Sequence, residues 1–282
     1  MSTVIATINL KGGVAKTTTT VGLAEVLSAT YQKRVLVIDL DPQTNATTML
    51  IGEEKWQELN EQEYTLARLF QDAIEPEENR FNLEKTVQQH ASNVKEVTSL
   101  SLLPSSLDLI DTQDELANVP KGPFYSDNPV DVLKKAIRPI MDQYDYILID
   151  CPPNLGIITL NGLRIADGYL IPTIPDVLST YGIPQIISRI RSFSETIGEE
   201  IEPLGIVITK FRHQSTMHKQ TIQQLKREKD ARLFDTIFPE NNQIASAAEY
   251  HYFATLRQKW GYQGQYDQFC LLAREILARY EA

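Results

Sequence analysis

The chain has 282 residues, 42% of them hydrophobic and 23% charged, with a net charge of −10 at pH 7. That balance predicts a soluble globular protein and excludes one coated in basic surface, although a local basic patch needs only a few Lys and Arg on one face. No stretch approaches the ~20 apolar residues of a membrane span, no basic-then-apolar leader is visible, and two cysteines, Cys151 and Cys270, without zinc-ligand spacing, predict a reducing cytoplasm.

Taken in chain order, the first strand is expected over residues 3–9 and a helix over 16–30, joined by Leu10-Lys11-Gly12-Gly13-Val14-Ala15-Lys16-Thr17-Thr18. Strand, glycine-bearing loop and a helix opened by Lys-Thr make the layout of a phosphate-binding P-loop. The glycines let the backbone curl its N–H groups around an anion, and the helix start adds the positive end of its dipole. In such a loop Lys16 reaches the β- and γ-phosphates of a nucleoside triphosphate, and the Thr17 hydroxyl holds Mg²⁺. The standard pattern has glycine where this chain has Leu10 and Ala15. Alanine costs little at position 15 if φ is negative and strains the loop if φ is positive.

Val35-Leu36-Val37-Ile38 reads as a strand buried on both faces, ending in Asp39-Leu40-Asp41-Pro42-Gln43. From about 52 to 97 the chain is polar and acidic, with a helical segment at Leu66–Phe70; we expect one 1–282 ATPase domain with a polar helical insertion around 53–97. Further strands are expected at Ser99–Pro104, Tyr146–Asp150, Tyr169–Thr173 and Leu204–Thr209. Helices are expected over 130–143, 181–197, about 214–230 and 266–280, with a loop at Asn118–Pro123. Strands alternating with helices predict an α/β fold: three layers, α/β/α, with a mostly parallel, doubly wound sheet. In such sheets the ligand sits beyond the carboxyl ends of the strands.

Three strands end in polar residues at that edge. An apolar strand capped by Asp150 suits a Walker B carboxylate that holds Mg²⁺ through a water. Asp39 and Asp41 lie two apart, so in extended chain they point the same way; one can support Mg²⁺ while the other orients the attacking water, or Asp41-Pro42 is simply a turn.

The segments Lys11–Thr19, Asp39–Thr47 and Ile149-Asp150-Cys151-Pro152-Pro153 together resemble the deviant Walker A box, the Asp-x-Asp-Pro-Gln-x-Asn-Ala-Thr segment and the Walker B segment of ParA-type partition ATPases, in the ParA/MinD superfamily. The resemblance runs over most of the chain and is weakest over 53–125. It implies that Lys11 reaches across a dimer to the partner's nucleotide and that Lys16 binds phosphate in its own subunit. Thr17, Asp39 and Asp150 would then serve the metal, Asp41 the water, and Thr18 the α-phosphate. Gly12, Gly13, Val14 and Ala15 would line the cradle, with Pro239 and Asn241 near the adenine. The cofactors implied are ATP and Mg²⁺, with loops near Asp39–Asn45 and Pro152–Gly156 ordered by the γ-phosphate. The partners implied are a second copy of the chain in an ATP-dependent homodimer, non-specific DNA, and a ParB-like or cargo adaptor protein that accelerates slow hydrolysis. The location implied is the nucleoid-associated cytoplasm, with a plasmid, a chromosome origin or a protein body as cargo.

Arg189, Arg191, Arg212, Lys219, Lys226, Arg227, Lys229, Arg257 and Lys259 are the DNA candidates, with Lys226–Lys229 helical; a solvated charged face is the plainer reading. No helix-turn-helix is seen ahead of the P-loop, so operator-specific binding is not expected. A MinD-like membrane cycle would need a basic amphipathic tail, but Phe269, Leu272, Ala273, Ile276, Leu277 and Tyr280 read as a packing face. A metabolic ATP-dependent ligase or amidotransferase of the same fold, such as a dethiobiotin or cobyrinate synthase, remains the rival of a different class.

Overall fold

Continuous apolar runs dictate strands covered on both sides. The computed structural model describes residues 2–117 and 128–281. Its elements are β1 (Thr3–Thr7), α1 (Lys16–Ala29), β2 (Val35–Asp39), α2 (Asn45–Ile51), α3 (Glu53–Glu61), α4 (Leu66–Ile74), α5 (Leu83–Thr86), β3 (Gln88–Gln89), β4 (Leu100–Leu103), α6 (Leu109–Ala117), α7 (Val132–Ile137), β5 (Tyr146–Asp150), α8 (Ile157–Leu163), β6 (Gly168–Thr173), α9 (Val177–Ile197), β7 (Glu202–Phe211), α10 (Thr216–Leu225), β8 (Leu233–Pro239), α11 (Asn242–Ser246), α12 (Leu256–Trp260) and α13 (Gln265–Tyr280). The strands form one eight-stranded sheet in the order β3-β4-β2-β5-β1-β6-β7-β8, parallel except for β3.

Along β5 the period of two is plain: Ile147 and Ile149 join one core layer, Tyr146 and Leu148 the other. The first layer takes Leu66 and Phe70 of α4 and Ile183, Ile186, Ile187 and Ile190 of α9. The second takes Val21, Leu23 and Leu27 of α1 and Phe269, Leu272 and Ile276 of α13. Each such side chain contributes ~1.5–3 kcal/mol on burial. Gly22 lets α13 approach α1 closely, since a Cβ there would collide with the Phe269 ring. The apolar stripe of α13 is thus spent on the core, the packing role expected for it, and among the described residues no helix is long and apolar enough to cross a membrane. The 53–97 segment serves both layers, burying Leu66, Ala67, Leu69 and Phe70 on one side and Ala91, Val94 and Val97 on the other.

Several boundaries differ from expectation, each for a local reason. The helix expected over 130–143 stops at Ile137 and resumes only as a 3₁₀ turn at Met141–Gln143, because Pro139 has no N–H for the carbonyl of Lys135. The last helix before β8 ends at Leu225, its final buried apolar residue. Lys226–Lys229 is therefore a turn rather than a helix, with Arg227 N–H and Glu228 N–H donating three residues back and the Glu228 carboxylate accepting from Lys229 and Asp230. α9 begins at Val177, earlier than expected, where Asp176 accepts from Ser179 N–H as its N-cap. β3 and β8 were not expected; β8 alternates buried Phe234, Thr236 and Phe238 with more exposed neighbours and ends in Pro239 at the sheet edge. The Asn118–Pro123 loop lies outside the described residues.

Candidate functional site

The registers bring three strand ends level. Thr7 pairs with Asp150 and Asp39 pairs with Asp150, so the carboxyl ends of β1, β5 and β2 meet under the loop that leads into α1. The loop itself needs left-handed backbone at two positions, Gly13 (φ 72°) and Ala15 (φ 65°). Glycine pays nothing for this; alanine pays ~1–2 kcal/mol. The strained alternative for Ala15 is therefore the one realised. Ala15 is also the N-cap of α1, and no side chain caps that helix, so its first-turn N–H groups are left for a ligand.

A cleft of about 590 Å³ opens over this helix start. Gly12, Gly13, Ala15, Lys16, Thr17, Thr18 and Asp41 line it, and so do Pro239 and Asn241. Four expected residues do not line it. Val14 is buried. Lys11 turns outward to an ion pair with Asp176. Asp39 and Asp150 lie beneath the wall, fully buried.

The expectation that Asp39 and Asp41 point the same way is corrected. β2 ends at Asp39 and the chain turns, with Asp41 N–H donating to Asp39 Oδ1 (3.1 Å). Asp39 Oδ2 accepts from Thr47 N–H (2.8 Å) and Thr47 Oγ1 (2.7 Å), tying β2 to α2, while Asp41 faces the cleft and accepts from Gln43 N–H (3.0 Å). Burial pushes the Asp39 carboxyl up to about 7, against the pull of its Thr47 bonds. Asp150 is raised well above the ordinary range, by burial first and by the neighbouring Asp39 charge second, with Thr17 and Lys16 opposing. Its Oδ1 takes a long contact from Thr20 Oγ1 (3.5 Å), and its Oδ2 has no hydrogen-bond partner among the described residues. Burial lowers the Lys16 pKa, and Asp150 and Asp41 offset part of that. Lys16 Nζ makes only a 3.4 Å contact with the Lys11 carbonyl. A buried ammonium, an orphaned carboxylate oxygen and an uncapped helix start form a site built for a polyanion and a hard cation.

Sequence reasoning missed the apolar lining residues Met49, Ile244 and Phe269, and also Thr209 and Lys210. Their signal was their place at the carboxyl end of the expected 204–209 strand, where ligands sit. Among the basic candidates, Lys259 is corrected: it is wholly buried against Glu25 and cannot touch DNA. Arg191, Arg212 and Arg257 are paired with Asp230, Glu240 and Asp267. Arg189, Lys219, Lys226, Arg227 and Lys229 are exposed. His218 Nδ1 accepts from Arg212 N–H (3.2 Å), and among the described residues no group of three or more His, Cys, Asp or Glu could hold a metal by itself.

Residues 2–203 match the sequence family described as an AAA domain. The chain is 30% identical over 248 residues to the chromosome partitioning protein ParA of Myxococcus xanthus, covering 88% of this chain and 78% of that one. In fold it is similar to a plasmid partition protein of Borrelia burgdorferi B31 bound to AMPPNP (TM-score 0.74, 20% identity, 99% of this chain and 100% of the other). It is similar too to cobyrinic acid a,c-diamide synthase of Mycobacterium smegmatis bound to ADP and magnesium (TM-score 0.76, 22% identity, 100% and 96%). This fold, in other chains, takes nucleotide and magnesium.

Proposed function

The chain belongs to the ParA-type partition ATPases, and on that premise we propose that it binds ATP and Mg²⁺, pairs with a second copy of itself, and in that state holds DNA without sequence preference to position a cargo. The observation that carries the reading is the buried Lys16 and Asp150 flanking an uncapped helix start inside a 590 Å³ cleft.

The residues fit the cofactor. Asp150 Oδ2 is buried without a hydrogen-bond partner among the described residues, and Thr17 lies near enough to favour the charged form of that carboxylate. Thr17 and Asp150 would hold Mg²⁺, with Asp39 supporting from beneath through Asp41 and Thr47; phosphate and water would complete its shell, as they usually do. Magnesium, when bound, supplies positive charge to screen the phosphates. Lys16 holds phosphate by charge, the N–H groups of the loop orient it, and Thr18 faces the α-phosphate. Asp41, on the cleft wall, positions the attacking water. Lys11 reaches the nucleotide of the facing copy. Pro239 and Asn241 edge the base, whose flat faces suit the Met49, Phe238 and Ile244 surface. One 1–282 unit carries this chemistry, in the cytoplasm at the nucleoid, and a ParB-like or cargo adaptor accelerates a slow intrinsic hydrolysis.

For DNA, the five exposed basic residues above are the contacts, doubled by dimerisation. Affinity should then fall steeply with salt, each phosphate contact adding about 0.9 to the slope. The test is a mobility-shift assay on unrelated DNA fragments with ATP and Mg²⁺. Retardation with ATP that is lost in Lys16→Ala is expected. No shift at low salt from a chain that binds ATP by calorimetry would overturn the partition reading and favour a metabolic synthase, the class of the cobyrinic acid a,c-diamide synthase fold neighbour.

A further inference from the structure

Lys210, at the end of β7, has a left-handed backbone (φ 49°). A non-glycine residue there costs ~1–2 kcal/mol, a strain that persists only where the surroundings hold it. Its exposed side chain does not trail into solvent: Nζ donates to the carbonyl of Gly13 at 2.8 Å. The preceding residue does the same one step along the loop, Thr209 Oγ1 donating to the carbonyl of Val14 at 3.0 Å. Two adjacent side chains of β7 thus grip two consecutive P-loop carbonyls from nearly 200 residues away in sequence.

A trans peptide is planar, with its C=O and N–H opposed. Fixing the Gly13 and Val14 carbonyls therefore also fixes the N–H groups of Val14 and Ala15. Lys210 lines the same cleft as Lys16, and among the described residues no carboxylate lies within ion-pair distance of it. Glu240, also on the cleft lining, feels the Lys210 charge but is engaged by Arg212 through two bonds (2.6 and 3.0 Å).

We infer that Lys210 is a positioning residue for the phosphate cradle, which aims the loop by holding the Gly13 carbonyl and adds a further positive charge on the wall beside a nucleoside di- or triphosphate. This rests on reading the cleft as a nucleotide site. The contact lies within one subunit, so it acts on ADP as well as ATP and does not depend on dimerisation.

The experiment is a fluorescence titration of the full chain with N-methylanthraniloyl ADP and ATP, with Mg²⁺, at low and high salt. Lys210→Asn removes charge and reach while accepting left-handed backbone, so its melting temperature should stay near that of the wild type. It should bind both nucleotides about tenfold more weakly at low salt, the size of one lost charge-assisted contact. In hydrolysis KM should rise by a similar factor with kcat changed less than about threefold, and Lys210→Arg should restore most of the affinity. Wild-type binding with Lys210→Asn unchanged overturns the role of Lys210 alone. Equal losses in Lys210→Asn and Lys210→Arg overturn it too, since shape rather than charge would then be at stake. A wild-type chain that binds neither nucleotide removes the reading beneath it.

Discussion

Lys11 reaches out of the P-loop to the carboxylate of Asp176, the residue that caps α9. Asp176 Oδ1 meanwhile accepts from Ser179 N–H (3.0 Å) and Ser179 Oγ (3.0 Å). Burial pushes the Asp176 pKa up, yet the Lys11 and Ser179 bonds outweigh it and hold the carboxyl below its ordinary value.

One ammonium cannot serve Asp176 and the phosphate of a facing copy at once. Asp176→Asn keeps an oxygen for the cap but drops the charge, so it should release Lys11. The pair is partly exposed, worth ~0.2–1 kcal/mol. Two such pairs are released per dimer, so the proposed ATP-dependent dimer should tighten by about two- to thirtyfold in sedimentation analysis. An unchanged dimerisation constant would mean that the two positions of Lys11 do not compete.

Glu25 and Lys259 are both fully buried, 2.7 Å apart, and Glu25 also accepts from Trp260 Nε1 (2.7 Å) and Ser92 Oγ (2.7 Å). Lys259→Met leaves that carboxylate without its cation and should cost about 3–5 kcal/mol in urea unfolding. Lys259→Met with Glu25→Gln should recover a large part of the loss. A single substitution that costs under about 1 kcal/mol would show that water reaches Glu25 when the lysine is gone.

Ala15 occupies backbone that favours glycine. Ala15→Gly trades relief of that strain against a freer unfolded chain, for a net gain of up to about 1 kcal/mol. Ala15→Val adds a β-branched side chain at positive φ and should lose more than about 1 kcal/mol. Thermal unfolding of the two variants checks the order; equal melting temperatures would place Ala15 in ordinary backbone.

The layers were legible because β1, β2 and β5 are dry on both sides and so read as continuous apolar runs, and the P-loop was legible because its chemistry is local. What escaped was non-local. Nothing near Lys259 in sequence announces Glu25, 234 residues away, so a buried lysine looked like a surface one. The diverging carboxylates of Asp39 and Asp41 depend on Thr47, which claims the first of them only once α2 has folded back. The helix expected through Lys229 failed because charge repeats alone do not hold a helix without a buried face beyond Leu225.

The walls of the cleft run from Gly12 to Phe269, and the ring of Phe269 rests on Gly22 in the first helix. The two sides of the cleft are therefore joined only when the segment around Phe269 packs back on the first helix, which makes the enclosure a tertiary feature rather than a local one.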